Sequence, residues 1–586
     1  MRDLQIRQKY RTLEMKQHKT TLCLCASAPV HLIILLICLI ALCGCSRSPA
    51  GEQPAVAGGP PGGQPAPLVP VNDTFNWTGN TRLTVVAASG LLANDPAGTV
   101  ISAADAATSQ GGTVSVNLAT GAFTYDPPLG MQNTSDTFTY RVAGALQATV
   151  TVTLVERIWY VRNNATGTNQ GHDRAPFLTL AQAEAASDAG DTIFVFAGDL
   201  TAQGQDRGIT LKPGQRLLGE GVGLLVNGVP LVDPVPNAVL SNAGLTLPAG
   251  NTPVVRLATG NEVAGFSLQA AFNEAILAPG GTGHNIHDNA ITFDAANGRE
   301  GIRLLAVTGN NFVTDNIITG SPRNGIKLVN NEDLDGNIVA ATPVAATVTM
   351  SRNTLRDSAQ DGIRVILDGA GTNVQLHILT NTIANSGTAG GNGGIDIAGL
   401  GTASLTTAIT RNAVTGSAAQ AIDLAASGVS QLTAVAANNT LSASGAATDF
   451  RAAIAGGSTA TLQLEMVTNV NATANSTIQV ENNAGISGTF RFFEAGNDTL
   501  ALRVGPITNA VQGSLGIVFN GAALFEANCS QCHLGNGLGQ GRVGPNITNA
   551  TVEAINFQLL FNPTMSFIKL TQGEVQAIAA ALATVP

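Results

Sequence analysis

Hydrophobic and polar residues are patterned differently in successive stretches of this chain, and each pattern predicts a different element. An unbroken apolar run, His31-Leu-Ile-Ile-Leu-Leu-Ile-Cys-Leu-Ile-Ala-Leu42, comes first. Residues 71–156 then alternate strictly, as in Thr113-Val-Ser-Val-Asn-Leu118, Ala122-Phe-Thr-Tyr125, Thr137-Phe-Thr-Tyr-Arg-Val142 and Ala148-Thr-Val-Thr-Val-Thr-Leu154. Turn signals at Ala119-Thr-Gly121 and Asp126-Pro-Pro128 separate these segments, which predicts short antiparallel strands in a β-sandwich. From Ile158 the pattern changes: Ile158–Val161 reads as a strand, 176–187 as a short helix and Asp191–Phe196 as a buried strand.

A repeat then sets in. Asn-x-aliphatic occurs at Asn289, Asn316, Asn353, Asn381, Asn412 and Asn439, at intervals of 27, 37, 28, 31 and 27 residues. A second element, a small residue followed by Ile, trails it by 9 to 13 residues at Gly301-Ile302, Gly325-Ile326, Gly362-Ile363, Gly394-Ile395 and Ala421-Ile422. Such phasing describes a coil that revisits each face once per turn, with aliphatics stacked inward and Asn side chains laddered along a corner. It resembles the right-handed parallel β-helix of the pectate-lyase-like superfamily over residues 157–505. Residues 443–505 fit the repeat poorly and read as final coils and a cap.

In small-Ile-x-aliphatic the middle residue points outward. Arg303, Lys327, Arg364, Asp396 and Asp423 therefore line one face in sequence order, a possible ligand face. The superfamily resemblance implies polysaccharide chemistry from such a face, by carboxylates with calcium, an Arg base or an Asp cluster. A row of cations followed by carboxylates suits an anionic sugar or acid–base work, and equally a solvated face with opposite charges on adjacent coils. Arg364 has no close Asp/Glu cluster in the sequence, and His284, His287 and His377 sit in no convergent motif, so binding or spacing is favoured over catalysis and no catalytic residue is assigned.

Composition narrows the class. With 66 Gly, 25 Pro and only 12% charged residues in 586, a mainly helical protein is excluded. A net charge of −10 without a basic stripe excludes a nucleic-acid binder. The fold class expected is mainly β multidomain, a β-sandwich plus a parallel β-helix, with a small all-α domain at the C-terminus. In the sandwich region, Gly90-Leu-Leu-Ala-Asn-Asp95, Gly121-Ala-Phe-Thr-Tyr-Asp126 and Asp136-Thr-Phe-Thr-Tyr140 resemble bacterial cadherin-like or Ig-like repeats. Some such repeats bind calcium through aspartates; Asp95, Asp126 and Asp136 are too scattered for that and read as turn residues.

Cysteine is confined to the two ends: Cys23, Cys25, Cys38, Cys43 and Cys45, then Cys529 and Cys532, so no disulfide framework exists between them. At the N-terminus Arg2, Arg7, Lys9, Arg11, Lys16 and Lys19 precede the apolar run, the layout of an export signal. Leu42-Cys43-Gly44-Cys45 resembles the lipobox of bacterial lipoproteins, which implies cleavage before Cys45, lipidation of its thiol and anchoring to the outer membrane, facing the periplasm or the cell surface. An uncleaved membrane helix is the competing reading, because the run approaches spanning length. Residues 46–70 are Pro/Gly-rich and read as a tether.

At the C-terminus, residues 506–586 carry Cys529-Ser-Gln-Cys532-His533, the attachment motif of c-type haem. Two thiols add to the porphyrin vinyl groups and the adjoining imidazole reaches the iron. A zinc site would need four Cys/His ligands where this segment offers three, and a redox dithiol would need a βαβ context that is absent. The segment resembles class I monohaem cytochromes c. The resemblance implies that the Pro545 carbonyl in Gly539-Gln-Gly-Arg-Val-Gly-Pro545 accepts the His533 N–H, and that Met565 is the sixth ligand, making one covalent iron-containing haem c the expected cofactor. Thr571-Gln-Gly-Glu574 forms a capping box that opens a helix at Val575–Leu582. Three readings follow: a lipid-anchored electron carrier with a redox partner protein, a polysaccharide-active β-helix with an accessory haem domain, and a surface adhesin that binds glycans.

Overall fold

The computed structural model describes residues 69–510, apart from 144–145, 246–250, 294–296, 392, 443–447 and 472–476, together with 578–579. The expected leader, lipobox and most of the tether, and all but a few of residues 506–586, lie outside the described residues.

Seven strands build the first layer pair: β1 (Asp73–Gly79), β2 (Leu83–Val85), β3 (Ile101–Ala104), β4 (Thr113–Val116), β5 (Phe123–Asp126), β6 (Thr134–Val142) and β7 (Gln147–Val161). One sheet runs β3-β6-β7-β1 and the other β2-β5-β4. The alternation read from the sequence sends Phe123, Tyr125, Phe138, Tyr140, Val150 and Val152 into the core between them. Two of the three aspartates expected in turns lie in strands. Asp136, in β6, is buried and accepts bonds from Thr108 Oγ1 (2.5 Å), Tyr125 OH (2.9 Å) and the Gln110 N–H (2.8 Å). Asp126, in β5, pairs with Arg82 at 2.6 Å and Arg174 at 3.1 Å. These are polar anchors of the sandwich, since a buried carboxylate is tolerated only when its oxygens are bonded.

Strand β7 leaves the sandwich without a break. Its first half pairs with β6, and its last residues, Ile158–Val161, pair in parallel with β8 (Thr192–Val195), the next strand of the β-helix. The sandwich core continues across the join through Tyr160, Phe194, Leu218 and Ala264. The shift at Ile158 read from the sequence therefore falls inside one strand and within one continuous core. Between β7 and β8 lies helix α1 (Leu180–Ala186), capped by Thr179 and Gln182 in a reciprocal box, with Leu180 and Ala183 buried beside Trp159 and Phe177.

From β8 onward the chain winds as a parallel β-helix of three sheets. A representative turn uses Asn373–Leu379 on the first sheet, Thr382–Ala384 on the second and Ile395–Gly399 on the third, and the next turn resumes at Ser404–Thr410. Registers align like on like: Val374 faces Leu405, Ile383 faces Val414 and Ile397 faces Leu424. These aliphatics form one stacked core along the whole solenoid.

The repeated Asn residues form the expected ladder. Each Asn side-chain oxygen accepts the backbone N–H and the Nδ2–H of the Asn one turn earlier, as from Asn381 to Asn412 at 3.0 Å for both. The ladder continues through Asn469 to Asn497, so residues expected to leave the repeat keep it. Each ladder Asn up to Asn469 follows a residue with positive φ: Asp288, Asp315, Arg352, Thr380, Arg411, Asn438 and Thr468. The small residue before Ile has a steric cause, because a Cβ on Gly394 would lie 2.0 Å from the Ala421 carbonyl of the next turn.

Candidate functional site

The third sheet places the five outward residues in one row, each hydrogen-bond neighbour to the next: Arg303, Lys327, Arg364, Asp396 and Asp423, followed by Arg451. The row is a charge ladder, but the solvated face offered as one reading of it is mostly buried. Burying charge is tolerated only with paired partners, and the partners lie largely outside the five.

Arg303 is completely buried. Its guanidinium donates to Glu274 (3.2 Å), Glu332 (3.0 Å) and the carbonyls of Asp333 (2.6 Å) and Leu334 (2.9 Å). Lys327 bonds Glu332 at 2.8 Å and faces Glu300 at 3.6 Å. Arg299 donates to the carbonyls of Leu334 (3.0 Å) and Asp335 (2.8 Å). Three cations thus meet three carboxylates, Glu274, Glu300 and Glu332, beneath a loop whose own turn is tied by Asp333. The Asp333 carboxylate takes the Asn337 side chain and the N–H groups of Asp335 and Asn337, and these bonds hold it below its ordinary pKa.

Farther along the row the cover ends. Arg364 pairs with Asp396 and lies 3.5 Å from Asp361, with its side chain 26% exposed. Arg451 bridges Asp423 (3.4 Å) and Glu481 (3.3 Å) at 32% exposure. Burial raises the Asp423 carboxyl above its ordinary value, against the pull of the Arg451 and Arg364 guanidiniums. This open end is where a polar ligand would meet charge.

The histidines do not converge. His284 contacts the Gly280 carbonyl at 2.9 Å. His287 lies between Glu262 (3.1 Å) and Asp288 (2.9 Å), with Arg216 also on Glu262 at 2.5 Å. Burial opposes a charge on His287, but the two carboxylates outweigh it and raise the imidazole to about 9. Burial likewise opposes the Glu262 carboxylate, yet His287 and Arg216 hold it down at about 2. His377 stands apart, buried and without a partner for either ring nitrogen among the described residues. No group of three or more His, Cys, Asp or Glu among the described residues could hold a metal ion. Cys45, Cys529, Cys532, His533, Pro545 and Met565 lie outside the described residues.

Sequence reasoning missed the carboxylates that neutralise the row. A signal was present: Glu274, Glu300 and Asp361 each directly precede the small residue of the small-Ile element, in Glu274-Ala-Ile276, Glu300-Gly-Ile302 and Asp361-Gly-Ile363. Asp361 lies beside the outward residue three places on, Arg364, while Glu274 pairs with Arg303 and Glu300 faces Lys327, the outward residues one turn later.

Residues 64–155 match the bacterial Ig domain family. The sandwich is an Ig-like domain. No curated protein matches the chain. Among solved structures, the chain is similar to the catalytic domain of a GH87 alpha-1,3-glucanase in complex with tetrasaccharides, at 10% identity over 67% of this chain and 75% of that one, with a TM-score of 0.30.

Proposed function

We propose that this protein is an exported, lipid-anchored c-type cytochrome that carries one electron, with the Ig-like domain and the β-helix as the scaffold that displays its haem domain. The observation that carries the reading is Cys529-Ser-Gln-Cys532-His533, two thiols and an imidazole at the spacing that covalent haem attachment requires. The donor set fits: Cys529 and Cys532 would hold the porphyrin by thioethers, and His533 and Met565 would supply a nitrogen and a sulfur to the iron. The Pro545 carbonyl would accept the His533 N–H, which orients the ring and strengthens it as a donor. Bound haem supplies one-electron chemistry, and a Met ligand raises its potential. The scaffold role is supported by the charged row, of which Arg303 and Lys327 are neutralised internally beneath a loop.

A pyridine haemochrome spectrum tests the reading on the full-length exported protein. One covalent haem per chain is expected, lost in Cys529→Ala/Cys532→Ala. Absence of covalent haem from the parent, or its persistence in the double variant, would sink it.

A second reading is favoured by the open end of the row, where the raised carboxyl of Asp423 lies one strand from Asp396 and beside Arg364 and Arg451. It makes the β-helix polysaccharide-active, with two neighbouring carboxyls, Asp396 and Asp423, to take up a proton from the sugar and return one to the leaving oxygen, next to cations able to hold an acidic sugar. Unsaturated products released from uronate polymers by the full chain, and lost in Asp423→Asn, would support it; glycan-array binding without turnover would point to an adhesin instead.

A further inference from the structure

The first coils of the β-helix enclose a cavity that neither the charged row nor the haem motif uses. Three stretches of chain build it: 162–164 just after β7, 197–200 just after β8, and Glu220 with Val235 and Pro236, which flank the hairpin Leu224–Val226 and Val229–Val232. Hydrogen bonds tie these stretches together. Asn163 donates from Nδ2 to the Thr201 carbonyl (3.0 Å) and accepts the Asp199 N–H at 3.1 Å. Oε2 of Glu220 accepts the Ala197 N–H (2.7 Å), and its carbonyl accepts the Val235 N–H (3.2 Å). Gly198 has φ +60°, and a Cβ there would collide with the Asn163 amide that makes the clamp, so the loop needs glycine at this place. The walls are therefore fixed before anything enters, around a volume of about 330 Å³.

Most polar groups here are spent on the walls, and two are not. The Arg162 guanidinium lies over the Phe196 ring, 4.0 Å from its centroid. Its Nε is buried without a hydrogen-bond partner, and none of the described residues accepts a bond from the rest of the guanidinium. Cation–π attraction holds the group flat on the ring and leaves its N–H edge for another acceptor. Glu220 lines the same cavity with Oε1 unbonded among the described residues, and the two charges do not pair across it. Ala197, Leu200, Val235 and Pro236 make the rest of the lining largely aliphatic, and Leu200 and Val235 are left exposed.

We propose that this cavity binds a small aliphatic α-amino acid, with its carboxylate on Arg162, its ammonium on Glu220 Oε1 and its side chain against Leu200, Val235 and Pro236. Each part of such a ligand answers a group that the protein leaves open. A planar guanidinium matches a carboxylate through two parallel bonds. A ligand carrying only one charge would enclose the opposite pocket charge without a partner, which is costly. A planar aromatic ligand would need a ring face to stack on, and the ring at this site, Phe196, is already covered by Arg162. The volume lies at the small end for ligand sites and suits one amino acid rather than a chain. The site involves neither the haem motif nor the charged row, so its failure would leave both readings of the protein's function untouched.

Isothermal titration of the full-length protein with L-leucine, isocaproate and isoamylamine tests this, because the three share an aliphatic body and differ in their charged ends. Leucine is expected to bind at least about tenfold more tightly than either of the others, the scale of one charge-assisted hydrogen bond. Arg162→Gln should lower leucine to the affinity of isoamylamine and leave isoamylamine unchanged. Glu220→Gln can still accept the Ala197 N–H but loses the charge, and should lower leucine to the affinity of isocaproate. Val235→Trp fills the cavity with both charges in place and should abolish binding of all three. If Arg162→Gln unfolds, Arg162→Lys keeps a cation over Phe196 and should still lose most of the affinity, since an ammonium lacks the planar fork. Absence of leucine binding by the parent, or undiminished binding by Val235→Trp, would overturn the proposal. So would isocaproate binding as tightly as leucine, which would make the cavity a plain carboxylate site.

Discussion

Two halves of one row of side chains behave as different materials. Arg303 and Lys327 occupy the same place in the repeat as Arg364, Asp396, Asp423 and Arg451, on neighbouring strands of one sheet. The first pair is sealed beneath the loop at Glu332–Asn337, where every cation has a carboxylate and several have carbonyls as well. The later residues are paired along the sheet but reach solvent at Arg364 and Arg451. Register is therefore dictated by the coil, while the energetic worth of a charge is dictated by the loop above it. The sealed half is neutralised from within, whereas the open half meets solvent at Arg364 and Arg451.

Truncating one residue in each half should separate them most sharply. Arg303→Ala takes the nearest cation from the buried Glu274 and leaves Glu332 with Lys327 alone, and the Asp333 and Leu334 carbonyls lose a donor. A loss of about 3–5 kcal/mol is expected, the scale of a broken buried pair. Arg451→Ala removes contacts of 3.3 and 3.4 Å from a partly exposed guanidinium whose two carboxylate partners are buried, and should cost less, about 1–3 kcal/mol. Urea unfolding gives both, and hydrogen exchange in Ile302–Leu305 should rise only in the first variant. Equal losses would show that the loop does not seal the cluster.

The Asn ladder crosses both halves and supplies the internal reference. Asn316→Ala and Asn412→Ala each strip an acceptor from two donors of the preceding turn and a donor from a buried carbonyl. About 2 kcal/mol is expected for each, with the two values agreeing, since the ladder is equally buried at both sites. A large difference, again by urea unfolding, would mean that the sealed and open halves differ in their cores and not only in their covers.

What could be read in the sequence divides along the same line. The Asn and small-Ile elements were legible because each answers a demand that only one or two side chains meet: an amide that both donates and accepts at a buried corner, and a position where a Cβ meets the next turn's carbonyl. The last turns escaped notice because Asn469 and Asn497 keep the ladder while the aliphatic two places on becomes Asn471 and Thr499. The positive-φ corners were illegible for a different reason. Asp, Arg, Thr and Asn all occupy them, so the coil imposes the conformation and the residue tolerates it at a modest cost. Burial of the charged row was hidden because the loop that covers it lies in a stretch with no period. The partner carboxylates were within reach, one place before each small residue, but charge pairing across turns has no fixed spacing in sequence.

The finest difference between the halves is one of pH. Burial raises the Asp423 carboxyl in the folded chain above the value it takes when unfolded, despite Arg451 and Arg364. Folding therefore favours its protonated form. That contribution to stability is fully present below the unfolded pKa and is lost as pH rises through the folded one. Asp423→Asn fixes the group in a neutral state, so stability relative to the parent should improve as pH climbs from about 4. The gain is limited because the substitution also takes a partner from Arg451, which keeps Glu481. The same scan on a background of Glu332→Gln, in the sealed half, should leave this slope unaltered, since Glu332 pairs with Arg303 and Lys327 while Asp423 pairs with Arg451. A slope that vanishes in that background would mean the row titrates as one connected unit and that the division between its halves is false.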